Sequence, residues 1–212
     1  MLKFIPPVLA LMPLVASLRA EEPAKPPLPV ITLPVRVHLM QSATTPAMQT
    51  TLTEPDIRRI FTKVNHVWAA AGIRFEIESI ANTQAVELPA EQRAVLSDFG
   101  RVTAMIPQDR LNPGALNVCY VKTVQPNGFY DGKLMVVKDT AALQEVTGGL
   151  DEPLPRVTSH EIGHALGLPH RQDRTNLMQS GTTGFSLNEA EIATAREKAE
   201  ARAKPAQSPP KP

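Results

Sequence analysis

Two strands joined by one long helix, two further strands, and then helices towards the C-terminus predict an α/β (α+β) fold. The sheet is expected to be mixed and twisted, with a crossover helix, a histidine-bearing helix and a C-terminal helix. Three observations carry this expectation. Apolar and polar residues alternate over residues 33–40 and 73–78, the period of a half-buried strand. Between them Ile57, Ile60, Phe61, Val64, Val67, Trp68 and Ala71 recur at helical spacing, and a helix joining two strands this directly favours a right-handed crossover and a parallel pair. Strands first and helices afterwards give layered architecture with a cleft between sheet and helix.

The chain has 212 residues and is 42% hydrophobic, enough for one good core and so for one domain with short extensions. Its formal net charge of +1 gives no electrostatic case for nucleic acid or an anionic membrane surface as partner. Cys119 is the only cysteine, so no intramolecular disulfide can form, and its apolar surroundings suit a buried structural thiol. Met1 to Lys3 supply a positive start, residues 4–15 an apolar run broken by Pro6, Pro7 and Pro13, and residues 16–20 a small-residue region. This pattern reads as a secretory signal peptide over 1–20, cleaved after Ser17 or Ala20. The expected product is secreted or periplasmic, monomeric, and not held in a membrane. Residues 21–30 read as a Pro-rich linker, 31–204 as the globular domain, and 205–212 as a Pro-rich tail.

Each element has a local signal. Over residues 33–40, Val35, Val37 and Leu39 share one side and His38 points to the other. Thr53 and Asp56 resemble a capping box, Pro55 is tolerated in the first turn, and Gly72 ends the helix. Residues 89–99 predict a short surface helix, whereas 100–108 fit strand or loop. Residues 116–124 and 133–138 read as strands, and Asn127-Gly128 opens a loop with an edge segment at 128–131. Leu154 precedes a proline and is thereby biased away from helix, so the histidine-bearing helix is expected from near Pro155 to about Leu166. Ser186 and Glu189 read as another capping box, opening a last helix to about Ala203 whose alternating charges imply a solvated outer face.

Residues 160–170 read H-E-x-x-H-x-x-G-x-x-H, with His160, Glu161, His164, Gly167 and His170 at the fixed positions. Histidines four apart on a helix lie about 40° apart around its axis, so His160 and His164 can reach one metal ion. Glu161 stands a step round, placed for a water on that metal. His170 would leave that face if the helix continued. Gly167 can take the left-handed conformation that ends a helix, and Pro169 discourages a restart, so the chain can bring His170 back. Three imidazole ligands and an open fourth position make a catalytic rather than a structural zinc site, with one zinc per chain. The other histidines, His38 and His66, are too few for a second site, and no feature supports a calcium site.

This extended motif resembles that of the metzincin clan of zinc metallopeptidases. The resemblance continues at Asn176-Leu177-Met178, where clan members carry a turn whose methionine lies beneath the metal. It implies a metzincin-like fold and a zinc endopeptidase acting on protein or peptide substrates, with Glu161 as general base for a metal-activated water. Because the ligands must be neutral imidazoles, activity should fall below about pH 6. The resemblance also implies substrate pairing with an edge strand around Gly128, Phe129 and Tyr130, and a pocket walled by residues 171–185. There Arg171 or Arg174 could favour an acidic side chain, against the commoner alternative of an exposed charge for each, and Gly181 and Gly184 could form a mobile rim. The chain departs from particular subfamilies. Arg171 stands where matrixins usually carry serine, astacins glutamate and adamalysins aspartate, and no tyrosine follows Tyr130. Matrixin-like and pappalysin-like readings both stay open. Two rival functions are a zinc- and peptide-binding protein without turnover, and a zinc hydrolase of non-peptide amides.

Overall fold

The structure, a computed structural model, describes residues 28–204. The signal-peptide and tail readings, and most of the linker, lie outside the described residues. Strand β1 (Ile31–Gln41) runs along the middle of the sheet. Helix α1 (Glu54–Trp68) follows, and its capping box is formed as expected, Asp56 Oδ2 accepting from the Thr53 backbone at 2.9 Å. A single 3-10 turn over Ala69–Ala71 then leads to Gly72, whose φ of 62° is the left-handed stop. The chain passes at once into β2 (Ile73–Gln84), parallel to β1 from Ile31↔Ile73 to Gln41↔Gln84. Strand β2 therefore runs six residues past the alternating segment.

Helices α2 (Ala90–Val95) and α3 (Asp98–Met105) come next. Residues 100–108 are thus mainly helical and neither strand nor loop throughout. Ser97 caps α3, accepting from the Gly100 backbone N–H at 3.1 Å, and Val102 and Met105 share the inward face. Strand β3 (Leu116–Val121) is shorter than the apolar run suggests, and β4 (Gly128–Tyr130) and β5 (Leu134–Lys138) complete the sheet. Its order is β2-β1-β3-β5-β4, parallel except for β4, which pairs antiparallel to β5 at the edge.

Both faces of the central strands are covered. One core packs Val35, Val37 and Leu39 against Ile57, Phe61, Trp68 and the later helices. A second packs Met40, Cys119, Val121 and Val136 under Val102, Met105 and Ile106. Strand β3 is accordingly buried at every residue, the pattern of a parallel strand covered on both sides. Cys119 lies fully inside the second core, and burial raises its thiol far above the usual range.

Helix α4 (Pro153–Ala165) packs on α1, β4 and β5, and α5 (Glu189–Ala203) packs on β1. Two sequence expectations need correction. Helix α4 begins at Pro153, because Pro153 and Pro155 fall in the first turn, where N–H groups lack intrahelical partners. Leu154 between them is helical despite the following proline. The last capping box is Asn188 with Glu191, not Ser186 with Glu189: Asn188 Oδ1 accepts from Glu191 N at 2.9 Å and Glu191 Oε2 accepts from Asn188 N at 2.9 Å. Ala195 and Ala199 bury one face of α5, and of its charged residues Glu191 is buried with them.

Candidate active site

The site is built from one helix, the turn that ends it, and the loop that passes beside it. His160 and His164 lie one turn apart on α4. The helix ends in a glycine cap of the expected kind: Gly167 has φ of 83°, its N–H donates to His164 O at 3.0 Å, and Leu168 N–H reaches Gly163 O at 2.9 Å. That reversal brings His170 back over the helix. The Nε2 atoms of His160 and His164 lie 3.2 Å apart and those of His164 and His170 3.1 Å apart.

Two hydrogen bonds aim these rings. His160 Nδ1 is 2.8 Å from Leu177 O, and His164 Nδ1 is 2.9 Å from Leu168 O. A carbonyl oxygen can only accept, so each Nδ1 carries the proton and each Nε2 presents a lone pair. Burial lowers both pKa values, that of His160 to about 3, which favours the neutral form of both imidazoles. Neutral lone pairs converging at 3.1–3.2 Å repel one another unless a cation lies between them. Nitrogens bound tetrahedrally at about 2.1 Å from one ion are roughly 3.4 Å apart. The three histidines therefore fit a zinc-like ion, and they are the only such cluster among the described residues.

Packing beneath the histidines accounts for two further residues. Met178 is fully buried, and a Cβ added at Gly163 would lie 2.5 Å from its Sδ. Only glycine at 163 lets the methionine seat under α4. Met178 N–H donates to Asn176 Oδ1 at 2.7 Å, which fixes the turn. Glu161 is buried beside the three histidines, and burial pushes its carboxyl up to about 8 while Arg156 pulls it down. A cation held by the histidines would pull the same way. Glu161 faces the sheet edge: a Cβ added at Gly128 would lie 2.9 Å from its Oε1 and 2.8 Å from Val157 Cγ1.

A cleft of about 680 Å³ opens here, lined by the three histidines, Glu161, Gly128, Phe129 and Tyr130 from β4, and Ser180 and Gly181 from the loop. Pro126, Asn127, Leu143, Arg156 and Val157 complete its walls. Arg171 and Arg174 do not line it. Arg171 turns to α5, its Nε 2.7 Å from Glu191 Oε1, and Arg174 reaches Gln144 at the surface. Gly184 is buried against the backbone of Arg174 and Thr175 and gives no mobile rim, whereas Gly181 is exposed with φ of 81°. Sequence reasoning missed Arg156, although its position four residues before His160 puts it on the same helical face. His38 is buried in the second core, with Thr83 Oγ1 3.2 Å from its Nδ1, and His66 is exposed on α1.

The sequence profile of the matrixin peptidases matches residues 123–197, a stretch that contains β4, β5, α4 and all three histidines. Over this stretch the chain is similar to the matrixin metallopeptidases, and the match supports a metalloendopeptidase without deciding a subfamily. Among solved structures with the same fold are two of mirolysin. One, in complex with compound 9, superposes with a TM-score of 0.57 at 13% identity, over 86% of this chain and 100% of that one. The other, mature mirolysin of Tannerella forsythia in complex with a cleaved peptide, gives 0.56 at 14% identity, over 84% of this chain and 100% of that one. No curated protein matches by sequence.

Proposed function

We propose that the chain is a zinc-dependent endopeptidase whose ligands are His160, His164 and His170 and whose general base is Glu161. The observation that carries this reading is the convergence of three Nε2 atoms, two of them oriented by carbonyls behind the rings, beside a buried carboxyl that faces the edge strand. Bound there, zinc supplies Lewis acidity, which makes water ionisable near neutral pH and draws charge from a peptide carbonyl. Glu161 takes the proton of the attacking water and passes it to the leaving amine, a task suited to a carboxyl whose pKa burial has moved towards neutrality.

The chain's own backbone positions the substrate. Strand β4 is the sheet edge, paired only with β5, so its outer side is free to align an extended peptide along the cleft. Gly128 lets that peptide approach Glu161, because any side chain there would collide with the carboxylate and with Val157. Among the described residues no helix is long and apolar enough to cross a membrane.

Zinc content and cleavage of a mixed peptide library, measured on the full chain beside Glu161→Ala, test the reading. Both proteins should hold zinc, and the variant should lose about 100- to 10,000-fold in turnover. Zinc at one equivalent without cleavage by either protein would leave a binding protein. Hydrolysis of small amides but not of peptides would instead favour the non-peptide hydrolase.

A further inference from the structure

Arg156 is 1% exposed, yet it lines the cleft beside His160 and Glu161. Its Nε donates to Gly184 O at 2.7 Å, and its Nη2 donates to Asn176 O at 3.4 Å and to Gln179 O. Nη1 donates to nothing among the described residues, and Arg156 forms no ion pair there. Carbonyls satisfy donors but do not neutralise charge. A buried guanidinium ordinarily has a carboxylate partner. The only carboxylate lining the cleft is Glu161, which the proposed reaction uses. Burial lowers the Arg156 pKa only to about 10, so the group is cationic at neutral pH.

Resting on the endopeptidase reading, we infer that Arg156 is a specificity residue and that the cleft selects a substrate with an acidic side chain next to the cleaved bond. The carboxylate of that aspartate or glutamate accepts from Nη1, supplying a counter-charge in addition to Glu161, while Leu143 and Val157 pack its methylenes. The contacts with Gly184, Asn176 and Gln179 hold the guanidinium in place before substrate arrives, so little side-chain entropy is lost on binding. The preference is thus assigned to Arg156 on the helix rather than to Arg171 or Arg174, which point elsewhere.

The test begins with cleavage-site profiling of a peptide library by the zinc-loaded full chain, read by mass spectrometry. Matched peptides follow, carrying Glu, Gln or Leu at the selected position. Glu is expected over its isostere Gln by roughly ten- to a hundredfold in kcat/KM, the range of one charge-assisted hydrogen bond. Arg156→Met should collapse the Glu-to-Gln ratio to near one. Arg156→Lys keeps the charge but not the fork of loop contacts, and should retain a preference for Glu, which separates charge from loop support even where the Met variant does not fold. Because the readout is a ratio within one protein, general loss of activity does not move it. Efficient cleavage by the parent chain with no acidic preference, or a preference unchanged in Arg156→Met, would overturn the inference and leave the endopeptidase reading intact. Cleavage of no peptide at all would overturn the endopeptidase reading itself.

Discussion

Gly163 shows how much of the site depends on single atoms. A methyl group at this position would lie 2.5 Å from Met178 Sδ and 3.1 Å from its Cε, with Met178 itself enclosed. Gly163→Ala should therefore cost about 1–3 kcal/mol by overpacking, despite alanine's better helix propensity. Equilibrium urea unfolding checks this, and Met178→Ala in the same background should recover part of the loss. At this scale the sequence was most informative where the chemistry is local. The spacing of His160, Glu161, His164 and His170 and the left-handed turn at Gly167 lie within eleven residues of one another and could be read from geometry alone. Arg156 is equally close in sequence, but its meaning depends on carbonyls at 176, 179 and 184 that fold over it. Arg171 is the converse case: adjacent to His170 in the chain, it is drawn away by Glu191, twenty residues on.

Helix α5 is tied to the turn beneath the three histidines by Glu191. Its carboxylate is buried, and accepts from Asn188 N at 2.9 Å, Asn176 Nδ2 at 2.8 Å and Arg171 Nε at 2.7 Å. Burial acts to raise its pKa, but these bonds outweigh burial and hold it below the ordinary 4.5. A carboxyl lowered in the folded state adds stability that is complete above its unfolded value and is lost as pH falls through the folded one. Glu191→Gln should therefore be clearly less stable than the parent at pH about 7, by about 1–3 kcal/mol. The gap should narrow at pH below about 4 as the parent loses the same contribution. Urea midpoints at the two pH values measure it. The cap itself was misplaced by two residues in the sequence, since Ser186 with Glu189 and Asn188 with Glu191 both carry the spacing. Only the pull of Asn176 and Arg171 on Glu191 decides between them. Helix α3 was missed for a similar reason: its inward face is only Val102 and Met105, too few to show a period, and it is the second core that gives them a partner.

Over the whole molecule, the sheet order follows from direct helix–strand junctions that the sequence displays clearly. The parallel pair β1–β2 comes from the cap at Thr53 and the stop at Gly72. The placement of β4 at the edge, antiparallel and next to α4, is less visible, because a three-residue strand carries almost no pattern. Yet that placement puts Gly128 against Glu161 and sets the histidine cluster in a cleft wide enough for an extended chain. In the proposed function, one zinc on His160, His164 and His170 is required for peptide cleavage. The most direct test of that requirement is a zinc titration of the chelator-stripped full chain, following cleavage of a peptide found in the library screen. Activity should be absent without metal, rise linearly with added zinc and break at one equivalent per chain, and it should stay absent throughout in His164→Ala. Cleavage that survives complete removal of metal, or that returns equally in His164→Ala, would contradict it.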